Sequence, residues 1–153
     1  MNSDEIVYDL RAVPLARLDL TAPREALRNA GLPADDLDAG GVMLYAFEKG
    51  GVVVGYGGLE IFGDDALVRS IVVDPAQRRR GIGRQIVEHV LMSAARCGVR
   101  RAFLLTTDAR TYFEALGFAV IDRKDAPSTV LTTRQATSLC PVSAALMVRV
   151  LAR

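Results

Sequence analysis

Residues Arg78-Arg79-Arg80-Gly81-Ile82-Gly83-Arg84 combine cationic side chains with two glycines in a stretch short enough to curl around one anion. They follow the apolar run Ile71-Val72-Val73, and Ile82, Ile86, Val87, Val90, Leu91 and Ala94 then recur at helical spacing. The order is strand, glycine turn, helix. Such a turn gathers several backbone N–H groups in a small concavity, with the positive end of a helix dipole behind them, and that suits a phosphate group. Gly81 and Gly83 permit torsions and a close approach that a Cβ obstructs. The alternative for a lone Gly-x-Gly is an ordinary strand-to-helix turn with basic surface residues; the run of arginines favours the anion. Two better-known phosphate loops do not fit. A dinucleotide fingerprint requires a third glycine where Ile86 stands, and the chain contains no Gly-Lys-Ser/Thr tripeptide of the nucleoside triphosphate loop.

Strands and helices must hold this turn, and the sequence alternates them without internal repeat or low-complexity stretch. Residues 6–13 can form a first strand, after which Thr21 caps a helix with Pro23 in its first turn and Gly31 just past its end. Residues 33–41 are polar and end in glycine, a loop before a strand at 42–48. Lys49-Gly50-Gly51 makes a hairpin turn into a strand at 52–62, and Gly63-Asp64-Asp65 turns the chain into a strand at 66–73. After the long helix, which runs to about Cys97, residues 101–107 form a strand and Asp108 can cap a helix to Leu116. Strands at 118–122 and 144–151 complete the chain.

Half of the 153 residues are apolar and the formal net charge is +1, so one compact domain over residues 1–153 is the simplest organisation. No overall basic field exists to recruit nucleic acid, and the arginines act locally. The first residues lack the basic and apolar regions of a secretory signal, and no apolar run approaches membrane-spanning length, so a cytoplasmic protein without membrane partner is expected. Of the two cysteines, Cys97 falls on the apolar face of the long helix, and a structural disulfide is not expected. The single histidine, His89, reads as a partly exposed helix residue and cannot hold a metal alone; no metal site is expected.

The pattern Arg/Gln-x-x-Gly-x-Gly/Ala, here Arg78-x-x-Gly81-x-Gly83, stands directly after Val73-Asp74-Pro75. At this point the chain resembles the GCN5-related N-acetyltransferases (GNAT), whose loop for the pyrophosphate of acetyl-coenzyme A has this spacing. Tyr112-Phe113-Glu114-Ala115-Leu116-Gly117-Phe118 is similar to that family's late helix-to-strand signature. The resemblance implies an α/β fold: a mixed, largely antiparallel central sheet, split by a V-shaped cleft and flanked by helices. It implies that acetyl-CoA is bound by Ile71, Val72 and Val73, by Arg78, Arg79, Arg80, Gly81, Ile82, Gly83 and Arg84, and by Thr106 and Phe113. Main-chain groups at Ile71 and Val73 would pair with the pantetheine amides as an added strand does.

The implied chemistry is attack of a neutral amine on a thioester carbonyl, which needs a base, a polarised carbonyl and a proton for the leaving thiolate. Glu60, next to the strand that carries the cofactor, is the candidate base; a solvent-facing strand residue is the other reading. Many relatives place a tyrosine where this chain has Phe113, and Tyr112 lies one residue earlier, rotated by about 100° on a helix. Tyr112 is nevertheless the candidate proton donor. If no side chain protonates the sulfur, water or the substrate ammonium does so and the protein acts by positioning.

The stretch 124–141 is a long link between the last two strands, and long links are often functional. With Gly58-Leu59-Glu60, Leu67-Val68-Arg69-Ser70 and Leu105-Thr106-Thr107, it resembles a small bacterial subgroup of arsenic-resistance N-acetyltransferases. That resemblance implies a small amino-acid-like acceptor, an arsenical or phosphinate such as arsinothricin. Arg69 and Arg134 are then the candidates to pair with its acidic groups, because a guanidinium meets two oxygens at once; a structural salt bridge is the other reading for each. Cys140, one thiol before a proline, is a poor metalloid site. Acetylation of a protein N-terminus or lysine, and a CoA-binding module without turnover, are the competing classes. An exposed terminal strand suggests a homodimer.

Overall fold

The structure, a computed structural model, describes residues 10–15 and 19–151. Strand β1 is Arg11–Pro14 and helix α1 is Thr21–Asn29. Strands β2 (Val42–Lys49), β3 (Val52–Phe62) and β4 (Asp65–Val73) form the expected meander. Helix α2 (Ile82–Arg96) crosses over to β5 (Arg101–Thr106), followed by α3 (Arg110–Ala115), β6 (Ala119–Val120), α4 (Ser128–Leu131) and β7 (Ala145–Val150). The seven strands make one sheet in the order β1-β2-β3-β4-β5-β7-β6. Every neighbouring pair is antiparallel except β4 and β5, the pair joined through α2. Among the described residues, no helix is long and apolar enough to cross a membrane.

Local chemistry accounts for most of these elements. Gly50 and Gly51 both have positive φ, 59° and 80°, which a two-residue hairpin turn between β2 and β3 requires. The helical spacing seen in the sequence is the buried stripe of α2: Ile82, Ile86, Val87, Val90, Leu91 and Ala94 all lie in the main core. Burial of an aliphatic side chain of this size is worth about 1.5–3 kcal/mol. Gly55 and Gly57 on β3 let α2 lie close to the sheet, because a Cβ on Gly55 would run into the Val72 carbonyl oxygen and the Ile86 side chain. Replacing Gly55 by alanine is therefore expected to cost about 1–3 kcal/mol. That lowers the melting temperature by roughly 2–4 °C per kcal/mol, measurable by calorimetry.

Several sequence expectations need correction. Residues 6–9 of the expected first strand lie outside the described residues, and the strand itself extends to Pro14. Thr21 is the first helical residue rather than the cap; its N–H is instead 3.4 Å from Asp19 Oδ1. Asp108 does not cap α3: Ala109 holds that position, and its N–H donates to Thr106 Oγ1 at 3.0 Å. The strand expected at 118–122 shrinks to Ala119–Val120, because Phe118 turns into the core and Ile121 bonds outside the ladder, to Leu146 O. Cys97 is exposed, since it caps α2 just beyond its last turn and leaves the apolar stripe. Finally, β7 lies between β5 and β6 rather than at the end of the sheet, although β6 pairs with it only at Met147 and Val148.

Candidate active site

Strands β4 and β5 pair only from Asp65–Leu67 to Arg101–Phe103, and then diverge. The gap opens into a cavity of about 920 Å3. Val68, Arg69, Ser70, Ile71 and Val73 line one wall, and residues 104–109 with Tyr112 and Phe113 line the other. The glycine turn closes one end. The opposite end is walled by residues 30–33 after α1 and by Gln135, Cys140 and Pro141 from the long link.

At the turn, Gly81 caps α2 with φ of 76°, a left-handed conformation that glycine adopts without the penalty of a side chain. A Cβ on Gly83 would stand 2.5 Å from the Tyr112 hydroxyl oxygen, so glycine is what lets that tyrosine fold over the helix start. Arg78, Arg79, Gly81, Ile82, Gly83 and Arg84 all line the cavity. Arg80 is not brought to it; exposed, its Nη1 lies 3.4 Å from Gln77 Oε1. The residues fit a diphosphate: a concavity of main-chain amides at the N-terminus of a 15-residue helix, rimmed by guanidinium groups.

Among the described residues two non-glycines have positive φ, Ser70 at 58° and Arg79 at 67°, and both line the cavity. Each such conformation costs of order 1–3 kcal/mol and persists where the surroundings impose it, commonly at functional sites. At Ser70 the cause is a bulge: the register of β3 and β4 jumps between Tyr56 and Gly58, so Ser70 and Ile71 together oppose Gly57. A bulge frees a main-chain group from the ladder, and it does so here where β4 has already parted from β5. An extended chain with amides can add to such an edge. Side chains alternate along it: Ile71 and Val73 line the cleft, whereas Val72, also expected at the cofactor, is buried against Leu44 and the α1 cluster and does not line it.

Tyr112 is 44% exposed and stacks edge-on against Phe113, which in turn packs edge-on against Phe118. Burial pushes the Tyr112 hydroxyl above its ordinary value, with Arg84 pulling the other way, so at neutral pH it is a donor. The tyrosine stands at the phosphate turn, and Phe113 occupies the wall nearer the core. Thr106 lines the cleft, with its hydroxyl oxygen committed to the Ala109 N–H.

Arg69, Ser70 and Gln135 of the cavity wall belong to a charged group that sequence reasoning assembled only in part; its carboxylates, Asp36 and Glu60, stand behind that wall and are not among the lining residues. Arg69 is 4% exposed. Its Nη1 donates to Asp36 Oδ2 at 2.6 Å and to Glu60 Oε2 at 3.0 Å, its Nη2 to Asp36 Oδ1, and its Nε to Ser70 Oγ at 3.2 Å. Gln135 Nε2 donates to Asp36 Oδ1 at 3.4 Å. Burial raises the Asp36 carboxyl, but its hydrogen bonds and charge attraction to Arg69 outweigh this and hold it below the usual carboxylate range. Arg134 is exposed at the head of the Gln135–Leu139 turn. Cys140 Sγ sits 3.6 Å from Gln135 Oε1, its thiol pushed up by burial. His89 is half-buried on α2 with its ring 5.7 Å from that of Phe47, away from the residues that line the cleft. The sequence missed Asp36 because an aspartate among residues 33–41 has the composition of any polar loop; its burial between Ala34 and Leu37 depends on α1 docking.

A sequence model of the acetyltransferase (GNAT) family matches residues 6–118. An amino-acid acetyltransferase of Aeromonas salmonicida (strain A449) is 32% identical over 82 residues, 52% of this chain and 19% of that protein. Another, from Mycobacterium tuberculosis (strain ATCC 25618 / H37Rv), is 37% identical over 73 residues, 47% of this chain and 41% of that protein. The chain thus spans less than half the length of either relative. Among solved structures, N-acetylglutamate synthase from Neisseria gonorrhoeae, complexed with coenzyme A and N-acetyl-glutamate, superposes with a TM-score of 0.77 at 19% identity, covering 94% of this chain and 35% of that one. With the family match extending from before β1 through the glycine turn to Phe118, and the split sheet formed by the same residues, the chain belongs to the acetyltransferase (GNAT) family.

Proposed function

We propose that this protein transfers the acetyl group of acetyl-CoA to the amine of a small, amino-acid-like acceptor. The observation that carries the reading is one continuous cavity that runs from the arginine-rimmed turn at Gly81 and Gly83, along the unpaired edge of β4, to the charged group around Arg69. Its parts match a ligand with a diphosphate, an amide-bearing arm and a reactive end. The relatives named amino-acid acetyltransferases, and the neighbour solved with N-acetyl-glutamate, support an amino-acid-like acceptor.

Bound acetyl-CoA supplies an electrophilic thioester carbonyl; a C–N bond to the acceptor forms as the C–S bond breaks, and the leaving thiolate takes its proton from Tyr112, water or the acceptor ammonium. The protein's own groups do the rest. The turn and the Arg78, Arg79 and Arg84 side chains hold the diphosphate, and the edge at Ile71 to Val73 pairs with the arm. A main-chain N–H of the Ser70 bulge polarises the carbonyl. Glu60 removes a proton from the acceptor ammonium or amine, directly or through water. Tyr112 contributes its hydroxyl at the cofactor, and Thr106 and Phe113 shape the opposite wall. Arg69 lines the cavity, but two carboxylates share its charge, so it offers hydrogen-bonding capacity; Arg134, exposed and outside the cavity lining, is the cation assigned to an acidic group of the acceptor.

Residues 30–33 and the 135–141 turn narrow the acceptor end, which favours a small molecule over a protein chain. Within that class, an arsenical or phosphinate amino acid such as arsinothricin is the finer proposal, supported by the sequence resemblance. The same reading puts the enzyme in the cytosol, the compartment that supplies its donor. Thiol release from acetyl-CoA with a panel of amino acids, glutamate analogues, phosphinothricin, arsinothricin, polyamines and peptides tests it. Release with an amino acid or its analogue is expected. CoA binding without release for any acceptor favours a regulatory module, and no CoA binding at all ends the proposal.

The turn makes its own prediction. Loss of one charge-assisted hydrogen bond costs about 1.5–3 kcal/mol, so Arg84→Ala is expected to weaken CoA roughly 10- to 100-fold by isothermal titration calorimetry. Arg80→Ala, which alters an arginine outside the cavity, leaves the affinity close to that of the wild type.

A further inference from the structure

On the sheet face away from α2, two apolar clusters lie side by side. One, under α1, contains Leu20, Leu27, Leu37, Leu44 and Val72. The other, under α4, contains Leu67, Phe103, Val130 and Leu146. The charged group occupies the seam between them: Arg69 lies on β4 between Leu67 and Val72, and Glu60 on β3 between Tyr56 and Phe62. Asp36 arrives from the loop after α1 and Gln135 from the long link. A buried ion pair is weak evidence for stability, because its desolvation offsets much of the attraction and apolar residues could have joined the two clusters. The geometry shows what the pair arranges instead. Asp36 grips both terminal nitrogens of Arg69, which presents the remaining Nη1 hydrogen to Glu60, and also accepts from Gln135 on the turn that walls the acceptor end.

We propose that Asp36 is a positioning residue for acetyl transfer. Through Arg69 it orients the Glu60 carboxylate and compensates the guanidinium charge that Glu60 otherwise faces alone, and through Gln135 it fixes the acceptor-side wall of the cleft. This rests on the acetyltransferase reading above, with Glu60 as base. A carboxylate beside an uncompensated guanidinium gives up its proton more readily and is a weaker base. Asp36 offsets that guanidinium charge and leaves the orienting hydrogen bond from Arg69 to Glu60 in place. The charged and titratable groups facing the seam are Arg69 from β4, Glu60 from β3, and Arg134, Cys140 and Arg123 from the long link.

The test uses the full chain with its best amine from the acceptor panel. Asp36→Asn keeps the side-chain shape and removes the charge. The expected result is a fall in kcat/KM for the acceptor of about 10- to 100-fold. The acidic limb of the kcat/KM profile moves to lower pH, and CoA affinity changes by less than about twofold. Asp36→Glu, which restores the charge, returns the limb toward its wild-type position. Added to Glu60→Gln, Asp36→Asn lowers activity little further, because the two act as one unit. A wild-type pH profile in Asp36→Asn, or full additivity with Glu60→Gln, overturns the proposal. So does a loss of activity that tracks a loss of CoA affinity and folded fraction. Should Asp36→Asn not fold, Gln135→Met separates the wall from the base: the acceptor KM rises while the acidic limb stays in place, and an unchanged KM overturns the wall half of the proposal. Failure of the wild type to bind CoA or to release thiol is a different outcome, and overturns the acetyltransferase reading itself.

Discussion

Replacing Glu60 by glutamine is expected to lower kcat by about 10²- to 10⁴-fold, the usual contribution of a general base, while the affinity for CoA stays near that of the wild type. The separation follows from place. Glu60 is held at 3.0 Å by Arg69, whereas Arg78, Arg79, Gly81, Gly83 and Arg84, the residues proposed to hold the diphosphate, belong to the turn after β4. Glutamine fills the same volume and still accepts a hydrogen bond from Arg69 Nη1, so the seam stays packed and the lost function is proton removal. Stopped-flow measurement of thiol release at saturating acceptor, alongside calorimetric titration with CoA, checks both halves. A kcat within a few-fold of the wild type would show that the acceptor amine sheds its proton to water and that Glu60 is structural. Raising the pH is expected to recover part of the lost rate, because an acceptor that is already a neutral amine needs no base to become one.

The largest effect on stability is expected from Arg69→Met. Removing the cation leaves Asp36 and Glu60 in a buried seam without their shared partner, and breaking a buried pair in this way costs about 3–5 kcal/mol. The pH dependence carries the sign. In the wild type the Asp36 carboxyl is held below its ordinary value of 3.8, with burial opposing and Arg69 prevailing. Its contribution to stability is therefore fully present above that ordinary value, and is lost as pH falls through the lower, folded-state value. In Arg69→Met burial is opposed only by the weaker pull of the Asp36 backbone hydrogen bond and of Arg134, and the carboxyl moves up from its wild-type position. The deficit against the wild type is then greatest near pH 7 and narrows toward pH 4, because falling pH protonates Asp36 in the variant before it does so in the wild type. Urea denaturation of both proteins at a series of pH values measures this difference. A deficit independent of pH would mean that lost packing by the arginine stem, rather than charge, dominates.

The glycine turn was legible in the sequence because each of its signals acts within a few residues. Glycine at position 81 answers a local φ of 76°, and the spacing of Ile82, Ile86, Val90 and Leu91 is the local period of the helix behind it. The hairpin at Gly50 and Gly51 was readable for the same reason. The bulge at Ser70 was not. Nothing in Arg69-Ser70-Ile71 marks it, and it exists because Tyr56 and Gly58 of another strand set the register. Nor was the interior place of β7, which follows from pairing between residues 101–106 and 145–150 rather than from either segment alone.

By its sequence alone this protein determined an α/β acetyltransferase fold, the strand-turn-helix that can receive a diphosphate, and a set of candidate arginines with one candidate glutamate. These follow from torsional preference and hydrophobic period, which neighbouring residues impose on one another. Only the tertiary structure decided that Arg69 faces protein carboxylates, that Asp36 pairs with Arg69 across 33 positions of chain and with Gln135 across 99, and that Arg80 stays outside the cavity while Tyr112 folds over Gly83. Ion pairs and close approaches of that kind depend on which surfaces the folded sheet and its helices bring together, and no local pattern encodes them.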